Sequence, residues 1–352
     1  MKRTWHPLSL WLAGVVSVCS WQARTNAAEP TRLAPLAKVP TAQKQEEKPP
    51  PGGHVAAPSL LAATGLLRII SADGAQKYAF HAGFALEAFH QRELFAFDPP
   101  DSHTHLGVRL QLAFAPTQFL ETFLQVSGRV DNSSRAGAGQ TLWLFGDTLL
   151  GVKGCAWLTS AFCLGAMGAM QLLAPAADVP FQARSTSFHA RALATYDATR
   201  AASPLPFRLH GNVGVIVDNS DALLTPGFTG VTRFALRVNE SHRILFGLGA
   251  ELRMSPLIAP FAEWSLEIPV GLPDRPGAPG FSSYPHVVTL GARMFPWRAL
   301  AVTLAADLAL SYNGRLGVPA TPPWQMHLAL SYGFGATPTP PPTPTKKPDD
   351  DF

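Results

Sequence analysis

The sequence predicts an all-β chain, a transmembrane antiparallel up-and-down β-barrel of about 12 strands. Three observations predict it. Apolar residues alternate with polar or small ones over runs of about ten residues. A tilted strand needs that length to cross a bilayer, whereas an ordinary strand has roughly 5–6 residues. Short and long connections alternate between the runs. Nearly every charge within a run falls on one parity, and a charge on the lipid face costs up to about 2–4 kcal/mol at the midplane.

Residues 286–311 show the pattern most plainly. Val288, Leu290, Ala292 and Met294 alternate with Thr289, Gly291 and Arg293. After Pro296 and Trp297 the alternation resumes. Leu300, Val302, Leu304, Ala306, Leu308 and Leu310 take one face, and Asp307 lies on the other. The pair reads as a hairpin with the Leu300 to Leu310 row toward lipid and Trp297 in an aromatic girdle.

The 352 residues suffice for one large barrel; 47% are hydrophobic and only 15% charged. A soluble domain usually carries about 25% charge. No apolar run beyond the N-terminal segment reaches the roughly 18 residues of a membrane helix. Of the net charge of +4, Lys2, Arg3 and Arg24 supply three units, so the barrel itself is near neutral. There is no basic stripe for nucleic acid. The competing fold is a soluble all-β protein with a buried core.

Residues 1–28 read as a secretory signal peptide: charged Lys2 and Arg3, an apolar stretch from Leu8 to Cys19, and small residues at Ala27 and Ala28. Residues 29–64 read as a disordered Pro-rich linker, and residues 336–352 as a disordered Pro/Thr-rich periplasmic tail, because neither has an apolar period. Residues 65–335 hold the barrel. Within them, residues 65–74 fit a short segment at the periplasmic rim or in the lumen. Cys155 is expected at a turn and Cys163 well up the next strand, too far apart for a disulfide.

Strands are expected near residues 78–89, 105–115, 119–130, 141–153, 157–172, 185–197, 207–218, 243–254, 259–270, 286–295, 299–311 and 324–334. Short turns are expected at 116–117, 154–156, 198–206 (the longest), 255–258 and 296–297. Longer loops are expected at 90–104, 131–140, 173–184, 219–242, 271–285 and 313–323. Twelve strands put every short turn and both termini on one side, as barrels of this kind do, whereas fourteen would mix the two sides. Residues 228–238 are spaced for either an amphipathic helix or a strand, within the largest loop.

The inward parity collects Arg109, Gln111, Glu121, Gln125, Arg129, Asp147, His189, Arg191, Arg208, His210, Glu251, Arg253, Glu263, Glu267, Arg293 and Asp307 as lumen-lining residues. Such a set either fills a narrow lumen with ion pairs or lines a polar pore that selects solutes. Small inward residues, among them Gly83, Ala85, Gly107, Gly291, Ala301 and Ala305, leave space and favour a water-filled interior.

Motifs for catalysis are absent: no GxSxG, HExxH, CxxC or Walker loop. His103 and His105, with Asp98 and Asp101, are the leading candidates for acid–base work or a metal, against the blander reading of a solvated polar loop. Asp218, Asn219, Ser220 and Asp221 could suggest calcium but fit a turn better. No catalytic residue, metal or cofactor is therefore expected.

The last run resembles the terminal-strand signal read by the barrel-assembly machinery of outer membranes. His327 fills its polar position, Tyr332 and Phe334 its aromatic ones, and Ala329 stands where the signal has glycine. The alternating strands with a Pro/Thr-rich tail resemble Gram-negative outer-membrane barrels, loosely OmpA-like or porin-like, without their peptidoglycan-binding domain. The resemblance implies a place in the cell outer membrane, with lipid and the assembly machinery as partners, no nucleic acid, and a candidate periplasmic partner through the tail. The function expected is a passive pore or structural membrane protein rather than an enzyme. The alternatives are an outer-membrane enzyme acting on lipid or peptide, and an anchor recruiting periplasmic partners.

Overall fold

The computed structural model describes residues 56–97, 100–135, 138–174, 185–223, 237–239, 241–271, 284–297, 299–311 and 321–334. The expected signal peptide, tail and 228–236 segment lie outside them. The described residues form twelve strands: β1 (Phe80–Phe97), β2 (Pro100–Thr117), β3 (Leu120–Arg135), β4 (Ala138–Trp157), β5 (Phe162–Leu173), β6 (Ser185–Asp197), β7 (Phe207–Val217), β8 (His242–Leu252), β9 (Ile258–Val270), β10 (His286–Trp297), β11 (Leu300–Ala309) and β12 (Trp324–Phe334). Each pairs antiparallel with its chain neighbours, and β1 pairs with β12 to close the barrel. Closure runs from Phe80 opposite Phe334 to Ala88 opposite Met326. The closed ladder leaves no unpaired edge, which is what a hydrocarbon environment demands of a β-structure.

The twelve runs found from alternation are the twelve strands, with two differences in extent. Residues 90–104 are not a loop: β1 and β2 run through them at 18 residues each. β3 and β4 likewise reach 16 and 20 residues. A bilayer needs about 9–11 residues, so these four strands stand out beyond it at the long-loop end. There the outward residues Thr104 and Asn132 are exposed and polar. The second difference is at residues 154–156, which continue β4; the turn comes later, at residues 158–161. Cys155 therefore pairs with Gly165 and lies diagonal to Cys163, nearer to it than the expected turn would place it. Both remain free.

The outside is a band of large apolar side chains. Leu110, Val213, Leu248, Leu290 and Leu304 are each about half exposed or more. A contiguous surface of this kind is foreign to a soluble monomer and suits a lipid environment. Exposed aromatics gather at both margins of the band. Phe119, Trp297, Tyr332 and Phe334 lie toward the short-turn end, and Trp143, Phe145, Phe188 and Trp324 toward the long-loop end. Leu266 of β9, whose parity matches that of the outward residues Trp264 and Ile268 and which was expected to face lipid with them, is instead buried. One bulge, at Gly146 with φ 111°, shifts the β3–β4 register and keeps Asp147 pointing inward beside Leu149.

Residues 56–75 pack inside the barrel. Ala62, Ala63, Ile70 and Ala72 pack against Ala113, Phe123, Leu149, Cys163, Met167 and Leu193 of the wall. Leu60, Leu66 and Leu67 pack against Ala85, Phe261 and Ala305. The interior is thus not a water-filled bore at this level. Residues 56–64, expected to belong to the linker, are part of the packed interior.

Candidate functional site: an occupied lumen

The backbone of residues 57–73 is tied to itself. Among the described residues its backbone–backbone hydrogen bonds are internal, including Leu60 N to Leu67 O at 2.7 Å and Leu66 N to Ile69 O at 2.8 Å. The segment is therefore a self-contained inner plug, not a thirteenth strand. Its remaining backbone groups still require partners, since a buried unpaired amide is costly. Inward side chains of the wall supply them.

Glu121 accepts the amide and hydroxyl of Thr64, both at 2.7 Å. Glu263 accepts the amides of Arg68 at 3.0 Å and Ile69 at 2.8 Å. Asn212 clamps Ile70 from both sides, accepting its amide at 2.9 Å and donating to its carbonyl at 2.7 Å. Thr195 accepts the amide of Ala72 at 2.8 Å. Gln111 donates to Ser59 O at 2.7 Å, and Arg293 to Gly65 O at 2.9 Å. Lys153, 1% exposed, bonds Glu121 at 2.8 Å and reaches the carbonyls of Thr64 and Asp73. Two ion pairs complete the attachment. Arg68 pairs with Asp307, which also holds Thr289 and His327, and Asp73 pairs with Arg208 at 2.5 Å. Burial would raise the Asp73 carboxyl, but the Arg208 guanidinium holds it below the usual carboxylate range.

Above the plug, toward the long-loop end, lies a cavity of about 360 Å³. Leu60, Leu61, Arg68 and Ile69 form its floor, and Arg237, Val238 and Asn239 contribute on the far side. Its charged side chains are mostly paired. Glu87 accepts from Arg109 at 2.7 Å, from Arg237 and from Gln325 at 2.8 Å. Arg129 bonds Asp147 at 2.9 Å. Arg243 bridges Asp218 at 2.8 Å and Glu267 at 2.7 Å. Arg191 also lines the cavity, while His189 bonds Gln171 at 3.1 Å.

The expected lining residues thus fall into two levels. Gln111, Glu121, Arg208, Glu263, Arg293 and Asp307 touch the plug; Arg109, Gln125, Arg129, Asp147, His189, Arg191 and Glu267 face the cavity. Glu251 sits between Arg208 and Arg253, and His210 meets Thr195 at 3.0 Å. Arg293 and Asp307 do not bond each other; Arg293 bonds Thr303, at 3.3 Å. Residues absent from that set but equally engaged are Glu87, Lys153, Thr195, Asn212 and Arg243. All carry the inward parity of their strands, which is the signal that could have found them.

The small inward residues have a different use from the one expected. A Cβ on Gly247 would meet Ile69 Cδ1 at 2.3 Å, one on Gly249 would meet Leu66 Cδ1 at 2.8 Å, and one on Gly83 would meet Pro58 Cγ at 3.2 Å. On Gly107 and Gly291 it would meet the neighbouring Glu87 and Phe261. The space holds protein.

His103 and His105 are not solvated loop residues. Both are buried on β2, where Asp131 Oδ1 accepts from His103 Nε2 at 3.1 Å and from His105 Nδ1 at 2.8 Å, with Phe89 stacked on both rings. Asp218 caps a turn, accepting Ser220 N at 2.9 Å, as the turn reading of residues 218–221 has it. Among the described residues no group of three His, Cys, Asp or Glu is placed to hold a metal ion.

Fold and site together define a class: a transmembrane β-barrel of twelve strands whose lumen holds an inner segment of its own chain. No family model and no curated protein sequence matches the chain. Solved structures do. An outer membrane channel from Pseudomonas putida F1 is 13% identical with a TM-score of 0.47, the match covering 75% of this chain and 98% of that one. The KdgM porin is 7% identical with a TM-score of 0.41, covering 72% and 99%. The translocator domain of the autotransporter NalP from Neisseria meningitidis is 10% identical with a TM-score of 0.43, covering 72% and 88%.

Proposed function

We propose that the protein is an outer-membrane channel closed by its own inner segment, residues 56–73, and that solute passes when this segment yields. One observation carries the reading. The segment is attached to the wall by side chains, while its backbone bonds are its own. Such an insert can leave without breaking any strand pair of the barrel. Secretion through residues 1–28, assembly through the β12 signal of His327, Tyr332 and Phe334, and a Gram-negative outer membrane as destination belong to the same proposal. The short turns and both barrel termini then face the periplasm.

The other reading is a structural membrane protein, permanently shut. It is favoured by the two ion pairs that fasten the plug, Arg68–Asp307 and Arg208–Asp73. Planar-bilayer recording separates the two. Deleting residues 56–73 should convert rare or small conductance into a steady open level. Refolded protein lacking those residues, heat-modifiable on a gel yet silent at every voltage, would defeat the channel reading.

A further inference from the structure

We propose that the cavity above the plug is a binding site for a small organic oxyanion, with Arg191 as its principal recognition group and Arg109 and Arg243 adding donors. The inference rests on the channel reading for its transport meaning, but the binding itself does not require conduction.

Three observations carry it. The first is charge. Among the described residues, six arginines line the cavity against four carboxylates, Glu87, Asp147, Asp218 and Glu267. When the pairs are assigned, Arg109 and Arg237 share Glu87, Arg129 takes Asp147, and Arg243 takes both Asp218 and Glu267. Arg68 is held from below by Asp307. Arg191 is left over: it makes no ion pair among the described residues, and Glu267, whose charge reaches it, is already bonded by Arg243.

The second is the inventory of unpartnered atoms. Among the described residues, three guanidinium nitrogens on the cavity wall are buried without a hydrogen-bond partner: Arg109 Nη1, Arg191 Nε and Arg243 Nε. Arg109 is itself only 7% exposed. Against them stand Gln125 Oε1 and His189 Nδ1. A guanidinium nitrogen can only donate and stays charged throughout the accessible pH range. A site with surplus fixed donors is completed by a ligand rich in acceptors, and a carboxylate or phosphate matches the planar fork best.

The third is size and position. A volume of about 360 Å³ is at the lower end of small-molecule sites. It suits one compact solute and not an extended chain. The floor is the plug itself, through Arg68 and Ile69. A bound anion would therefore lie directly on the segment that must move for passage.

Isothermal titration of the refolded full-length chain in detergent tests this, with gluconate, inorganic phosphate and the uncharged polyol sorbitol as probes. Gluconate and phosphate should bind and weaken as salt is raised, and sorbitol should give no heat. Arg191→Gln should weaken gluconate about 10-fold or more, the scale of one charge-assisted hydrogen bond. Arg191→Lys should recover part of the loss. Glu267→Gln, which removes a competing carboxylate, should tighten binding. Each variant is first checked for heat-modifiable migration. Equal binding of gluconate and sorbitol would overturn the inference, and so would an Arg191→Gln protein that is folded and binds like the parent. Because titration needs no membrane, a silent bilayer record would touch the channel reading alone.

Discussion

Glu263 is the residue on which the plug's attachment can be measured most directly. Its carboxylate receives two backbone donors, Arg68 N and Ile69 N, at the tip of the inner segment. Hydrogen bonds to a charged group contribute about 1.5–3 kcal/mol each, so the gross contact is about 3–6 kcal/mol. The carboxylate is itself 3% exposed, and its burial costs part of that gain. A net of about 2–3 kcal/mol corresponds to roughly 30–150-fold in the ratio of released to seated plug. Glu263→Ala should raise the open fraction in planar bilayers by that factor. Glu263→Gln keeps one acceptor and should have about half the effect in free energy. If deletion of residues 56–73 opens the channel while Glu263→Ala leaves the open fraction at the parent value, the carboxylate is not the latch, and the weight must rest on Asn212 and the ion pairs.

Three other perturbations follow from the same contacts. Lys153→Met strands a Glu121 carboxylate that is 1% exposed, and breaking a buried pair from one side costs about 3–5 kcal/mol. The midpoint of the heat-modifiable gel shift should fall, and adding Glu121→Gln should restore part of it. Leu248→Arg, on the outer face of β8, should destabilise the bilayer-embedded barrel by about 2–4 kcal/mol in reversible urea unfolding. The same change at Arg208's neighbour His210, on the inner face, would instead disturb plug contacts. The Asp73–Arg208 pair sets a pH window. Asp73 is depressed in the folded state, so its contribution is complete above the ordinary carboxylate range and is lost as pH falls through the lowered value. Open fraction should therefore be unchanged from pH 8 to about 5 through this pair, and rise only in stronger acid, below about pH 4.

Strand number and facing were legible because lipid enforces them. On β8, Leu248 and Leu252 must be apolar and Glu251 must be inward, so a period of two survives any drift in sequence. The extra length of β1 to β4 was not legible for the same reason. Above the bilayer, Thr104 and Asn132 face water, and nothing forces alternation on them. The turn lies at residues 158–161 and not at the expected 154–156, because β4 keeps its pairing with β5 through Gly154, Cys155 and Ala156. In the barrel the nearby glycine requirement is one of room. A Cβ on Gly165, opposite Cys155, would meet Gly154 O at 2.8 Å and Ala72 O of the plug at 3.1 Å.

The plug was legible only in part: residues 65–74 read as a segment at the rim or in the lumen, whereas residues 56–64 read as linker, although their imprint lies in the wall. Small inward residues have two physical readings, because a missing side chain leaves volume for water or for another segment. Polarity decides between them. Water would satisfy any wall group and needs no fixed geometry. A buried backbone needs acceptors and donors at set heights, and these are what Glu121, Glu263, Asn212 and Thr195 provide beside Gly247 and Gly249. The sequence 65–74 supplies the complement: Leu66, Ile69 and Ile70 fill the volume, and Arg68 and Asp73 find opposite charges on the wall. Apolar fill alone would have made the segment a permanent core. On the channel reading proposed above, its side-chain hydrogen bonds, each replaceable by water once the segment shifts, are what would let the segment be released.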